Sequence, residues 1–142
     1  MIKPKVVFDT NIYLSAIIFG GNPRKVLQLA INEKILLYSS TEILLEVALK
    51  LKGKFKWPSE QINLTIKNIG NLVKIIRIKE KIDFIKKDPT DNKILEAAIE
   101  SKAGFIITGD SHLLELKSYK RIKIIKATEL LEYFKTVSNY NK

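Results

Sequence analysis

Val6-Val7-Phe8 is a short, continuous apolar run containing β-branched residues, the pattern of a strand buried on both faces. Ile35–Tyr38 and Phe105–Thr108 repeat it. Val73–Ile78 and Ile122–Ile125 are also strand-like, but lysine or arginine interrupts them, which predicts positions nearer the sheet edge. The intervening segments read as helices. Asn22-Pro23 is an N-cap followed by proline at the first helical position, opening a helix to about Ile31. Thr41 caps Glu42–Leu51, and Ser59, with Ile62, Ile66 and Ile69, starts another helix. Asp88-Pro89 opens a helix carrying Ile94, Leu95, Ala98 and Ile99 at helical spacing. Gly104 falls where a left-handed C-terminal cap is expected, and Thr128 caps a last helix with Leu131 and Phe134 inward. Short apolar strands alternating with helices predict a three-layer α/β/α sandwich around a mostly parallel sheet of about five strands.

At 142 residues the chain matches one domain, 1–142, with Gly53–Pro58 as a loop between helices and a tail expected to fray from about Ser138. No cysteine is present, which excludes disulfides, a thiolate nucleophile and a cysteine zinc site. His112 is the only histidine, so a multi-histidine metal centre is excluded. Against 25 basic residues stand 15 acidic ones, and the net charge of +10 points to a polyanion, nucleic acid before an anionic membrane. The longest uncharged stretch, Thr10 to Pro23, is too short to span a bilayer, and Asp9 interrupts the apolar run a signal peptide would need. The expectation is a cytoplasmic protein with no membrane association.

In parallel sheets, ligands bind beyond the carboxyl ends of the strands, where strand order reverses. Here several of those positions are acidic. Asp9 follows the first strand, Asp110 follows Phe105–Thr108, Asp88 and Asp91 stand at a helix start, and Glu46 lies in the helix after the second strand. Carboxylate oxygens without nitrogen or sulfur ligands suit Mg2+ or Mn2+. Each acid also has a plainer reading. Asp9, Asp88, Asp91 and Asp110 could cap helices. Glu42, Glu46 and Lys50, four residues apart, could form one solvated, paired stripe. Gly20-Gly21 reads as a turn, and Trp57 before Pro58 as a packed loop anchor. The lysines of Lys50–Lys56, and Lys117, Lys120, Arg121, Lys123 and Lys126, fit either a phosphate track or a solvated surface, a choice that depends on where the fold puts them.

These acids, in this order, resemble the PIN-domain ribonucleases. Val6-Val7-Phe8-Asp9-Thr10-Asn11 is similar to that family's first motif, Ser15-Ala16 fits the motif's continuation, and Glu46 stands at its helical glutamate. Asp88-Pro-Thr-Asp91-Asn-Lys-Ile-Leu-Glu-Ala-Ala resembles the third motif and Thr108-Gly-Asp110-Ser-His-Leu-Leu-Glu-Leu the fourth. The likeness runs from Val6 to Phe134 and is strongest to toxins of toxin–antitoxin pairs. It implies a PIN-like fold in which Asp9, Glu46, Asp91 and Asp110 form one acidic pocket holding one or two Mg2+ or Mn2+ ions. Four carboxylates at close range raise one another's pKa values and sit together only around a cation. Asn11, Thr108 and Ser111 would orient ligands or substrate, and Asp88 would be a cap or outer ligand. His112 occupies a position that is often a second aspartate, which weakens any second metal site; it would touch a phosphate or simply face solvent. The implied activity is metal-dependent endoribonuclease, as the toxin of a type II pair, with RNA as substrate, an antitoxin partner and a homodimeric state. Apolar residues in the helices after Asn22 and Thr41 are available for a dimer face or for the core.

Two other functions compete for the same residues. A haloacid-dehalogenase-type phosphatase would need a second carboxylate two residues after Asp9, where the chain has Asn11. A catalytically weak or inactive PIN-like module that only grips RNA or protein is favoured by His112 and opposed by the four retained acids.

Overall fold

The computed structural model describes residues 2–81 and 91–140, the side chains of 138–140 excepted. β1 (Lys5–Phe8) lies inside a six-stranded sheet. On one side of it come β2 (Leu36–Ser39) and then β3 (Lys74–Ile75); on the other come β4 (Phe105–Ile107), β6 (Ile122–Ile125) and β5 (Ser118–Tyr119). All pairings are parallel except β5 with β6. The α/β architecture is the one expected, with a sixth strand added. That strand is only two residues long and has no apolar run to announce it. β3 is also shorter than the predicted Val73–Ile78: Lys74 and Ile75 are exposed at the sheet edge, with no outer neighbour to pair the rest.

Helices α1 (Thr10–Ile18), α2 (Gly21–Ile31), α3 (Thr41–Gly53), α4 (Ser59–Leu72), α5 (Asn92–Ser101), α6 (Ser111–Leu116) and α7 (Ala127–Tyr140) complete the described chain. α5 packs on β1, β2 and β4; α1 packs against α2 and α3, and α2 also against α7. The core holds Val6, Val7, Phe8, Ile106 and Ile107 from the central strands, together with Ile43, Leu51, Leu95 and Leu130 from the helices. No helix among the described residues is long and apolar enough to cross a membrane.

Several helix ends differ from expectation, each for a local reason. α2 starts at Gly21, with Gly20 at φ 84° as the N-cap, so Asn22 and Pro23 lie within its first turn. The Gly-Gly pair is a turn, as read from sequence. Arg24 fills the space a Gly20 side chain would need, and its guanidinium donates to the carbonyls of Ala16 (2.9 Å) and Ile17 (3.3 Å) at the end of α1. Ser40, one residue before Thr41, caps α3 by accepting the Ile43 N–H at 3.2 Å. The left-handed residue ending α5 is Lys102, at φ 57°, rather than Gly104. α7 begins at Ala127; Glu129 reaches back to accept the Lys126 N–H at 3.2 Å, half of a capping box. Leu130 is the fully buried residue there, while Leu131 and Phe134 pack partly buried against the core. Trp57 also packs there, as the loop-anchor reading expected. The Asp88-Pro89 helix start lies outside the described residues.

Candidate functional site

β1 is where strand order turns: β2 and β3 build outward on one side of it, β4 and β6 on the other. The carboxyl ends of β1 and β4 are adjacent, with Phe8 in register with Ile107, so the crevice expected at such a switch point opens above them. Asp9 and Thr108-Gly109-Asp110 are the residues immediately beyond those ends. The fold therefore joins motifs about a hundred residues apart through two hydrogen bonds: Asp9 N–H donates to the Ile107 carbonyl at 2.9 Å, and the Thr108 hydroxyl donates to Asp9 Oδ2 at 2.7 Å.

Asp9 is only 5% exposed. It occupies the N-cap position of α1, and its Oδ2 accepts the Thr108 hydroxyl. Burial pushes its pKa above the ordinary 3.8, and the Asp110 charge adds to that rise. The Thr108 hydroxyl, the Asn11 backbone amide and the Lys50 ammonium oppose it. Thr108 is fully buried and bridges the two acids, since its oxygen also accepts the Asp110 N–H at 3.0 Å.

Asp110 does cap α6: its Oδ1 accepts the backbone N–H groups of His112 (2.8 Å) and Leu113 (3.1 Å). Capping and a role at the centre are compatible, because the cap fixes the carboxylate next to Asp9. Ser111 and His112 are exposed in the first turn of α6, with His112 Nδ1 4.0 Å from Asp110 Oδ1. Asp91 is buried at the start of α5 and does not cap it with its side chain. Asp88 lies outside the described residues.

Glu46 is the acid whose surroundings the sequence foretold least. Lys50, one turn later, pairs with its Oε1 at 3.3 Å, as the four-residue spacing allows. Lys93, from α5, takes Oε2 at 2.6 Å. Lys50 also donates to Asn11 Oδ1 at 3.3 Å, linking α3 to the start of α1. Sequence reasoning gave Lys93 no role, and no local signal could have, because its partner lies 47 residues away. Glu96, also missed, is buried on α5, with Lys81 Nζ 3.9 Å away.

Among the described residues, no group of three or more acidic or histidine side chains converges to hold a metal ion. The donor chemistry still suits a hard divalent cation: the set is all carboxylate oxygen, and a cation beside Asp9 would offset both its burial and its repulsion from Asp110. Asp9 and Asp110 fit such an ion. Both oxygens of Glu46 are engaged by ammonium groups.

Known proteins share this fold. The family model described as "PIN domain" matches residues 5–112. An uncharacterized protein of Methanocaldococcus jannaschii, MJ1680, is 34% identical over 94% of this chain and 93% of its own. The crystal structure of VapBC2 from Rickettsia felis, bound to a DNA fragment from their promoter, contains a chain with a TM-score of 0.59 and 18% identity; the match covers 84% of this chain and 96% of that one. This chain belongs to the PIN-domain family. Its fold is also that of a component of the VapBC2 complex.

Proposed function

We propose that this protein is a metal-dependent endoribonuclease that hydrolyses RNA phosphodiester bonds, acting as the toxin of a type II toxin–antitoxin pair. The observation that carries the reading is buried Asp9 at the β1–β4 switch point, tied to Asp110 through Thr108. PIN-family membership supports nuclease activity, and the likeness to a VapBC2 chain supports an antitoxin partner.

In this reading Asp9, Glu46, Asp91 and Asp110 are the acids that hold one or two Mg2+ or Mn2+ ions. Such an ion, when bound, lowers the pKa of a water for attack on phosphorus and stabilises the leaving oxygen. The chain's own residues prepare the site. Thr108 fixes the Asp9 carboxylate, the α6 cap fixes Asp110, and Lys50, itself donating to Asn11 of α1, pairs with Glu46. In this reading Ser111, exposed beside Asp110, orients substrate. The +10 charge counters the repulsion an acidic centre exerts on RNA. A homodimer and an antitoxin belong to the same proposal, with exposed Ile31 on α2 and Leu45 and Leu49 on α3 as apolar positions available to either.

The test is incubation of structured and unstructured RNA with the protein in Mg2+, Mn2+ or EDTA, beside Asp9→Asn and Asp110→Asn. Metal-dependent cleavage lost in both variants is the expected result. Cleavage indifferent to the substitutions and to EDTA would refute it. One observation favours a second reading, a PIN-like binding module without catalysis: Glu46 is already neutralised by Lys50 and Lys93. Metal binding without cleavage of any RNA would select it.

A further inference from the structure

Basic residues of the C-terminal third line a hollow that shares one side chain, Lys126, with a second hollow beside the residues flanking Asp9. Lys117, Lys123 and Lys126 edge a hollow of about 490 Å³, floored by Leu114 and Ile125 and containing one acid, Glu129. A second hollow of about 270 Å³ is lined by Asn11, Ser15, Thr108 and Gly109, the residues around Asp9, and again by Lys126. The exposed Lys126 therefore stands between the two. α6 spans the same interval: Asp110 caps its first turn and Lys117 follows its last, a length of roughly 9 Å for six residues.

We infer that this hollow is a phosphate track for the RNA substrate, running from the residues around Asp9 past Lys126 to Lys117 and Lys123. The inference rests on the nuclease reading and adds the direction in which the bound strand leaves the site. Ammonium groups spaced along a groove match a chain of phosphates, and each phosphate neutralised releases a counterion.

The test is binding of a fluorescein-labelled single-stranded RNA in EDTA over a salt series, with a DNA of the same sequence and a duplex DNA alongside. The variant Lys117→Gln/Lys123→Gln/Lys126→Gln is compared with Lys25→Gln/Lys34→Gln/Lys67→Gln, which removes the same charge from exposed positions on other elements. The groove variant should lower the slope of log affinity against log salt by about 2, roughly 0.7 for each lysine, and the control by much less. Lysine-labelling protection by bound RNA at Lys117, Lys123 and Lys126, but not at Lys25, Lys34 or Lys67, supports the track on the unmutated protein. Equal losses in the two triple variants, or a loss confined to duplex DNA, overturn it. Metal-dependent cleavage with undiminished binding by the groove variant overturns the track and leaves the nuclease reading standing. Failure of the unmutated protein to bind RNA overturns both.

Discussion

Replacing Thr108 by valine removes one hydroxyl from the base of the acidic centre while nearly keeping the shape of a fully buried side chain. That hydroxyl donates to Asp9 Oδ2 at 2.7 Å and accepts the Asp110 N–H at 3.0 Å, so two groups lose a partner at once. A hydrogen bond to a charged group contributes about 1.5–3 kcal/mol, and a partly buried N–H left unsatisfied costs about 1 kcal/mol more. Thr108→Val should therefore destabilise the metal-free protein by roughly 3 kcal/mol near neutral pH, lowering its melting temperature by about 10 °C.

The loss should also depend on pH. Burial already raises the Asp9 pKa above 3.8, and removing the Thr108 donor raises it further. Below 3.8 the carboxyl is protonated in both folded and unfolded chains. As pH rises, the unfolded chain releases its proton first. The stability favoured by the protonated form is then lost up through the raised folded-state value. The variant steepens that loss. Denaturant unfolding at about pH 7 and about pH 4 should show a gap between the two proteins that narrows on the acid side. A gap of the same size at both, or a variant within about 0.5 kcal/mol of the parent throughout, would refute the claim that Thr108 holds the Asp9 charge.

Lys93→Met should cost roughly 1–2 kcal/mol in thermal unfolding and Lys50→Met under about 1 kcal/mol, because the Lys93 contact with Glu46 is shorter and less exposed. Asp110→Asn should keep the α6 cap, and with it most of the stability, while abolishing metal-dependent cleavage. Asp110→Ala should lose both, at about 1 kcal/mol for the cap, so calorimetry and an RNA cleavage assay together separate the two roles. Ser40→Ala should destabilise by about 1 kcal/mol through loss of the α3 cap, with no change in metal affinity measured by titration. Mn2+ at about a hundred times its dissociation constant should stabilise the parent by about 2.7 kcal/mol in a thermal shift assay and leave Asp9→Asn unmoved.

The sequence by itself determined the class of fold and the candidate acids. Buried parallel strands must be apolar on both faces, so Val6–Phe8 and Phe105–Ile107 are legible as local runs, and an acid just beyond such a run marks the mouth of the sheet. Five helices were legible from apolar residues at helical spacing and from capping residues, whereas α1 and α6 were implied only by Asp9 and Asp110 as possible caps. Exact caps were not: Ser40 and Thr41, or Lys102 and Gly104, differ only in which backbone reaches a partner. Only the tertiary structure decided how the acids are electrically balanced. The bond from Thr108 to Asp9 joins positions 99 residues apart, and the grip of Lys93 on Glu46 joins positions 47 apart, distances at which no periodicity carries information. The structure also placed the C-terminal lysines. Charge counting cannot tell which lysines edge a hollow and which stand alone, because that depends on the packing of distant elements, as for Lys126, which borders two hollows.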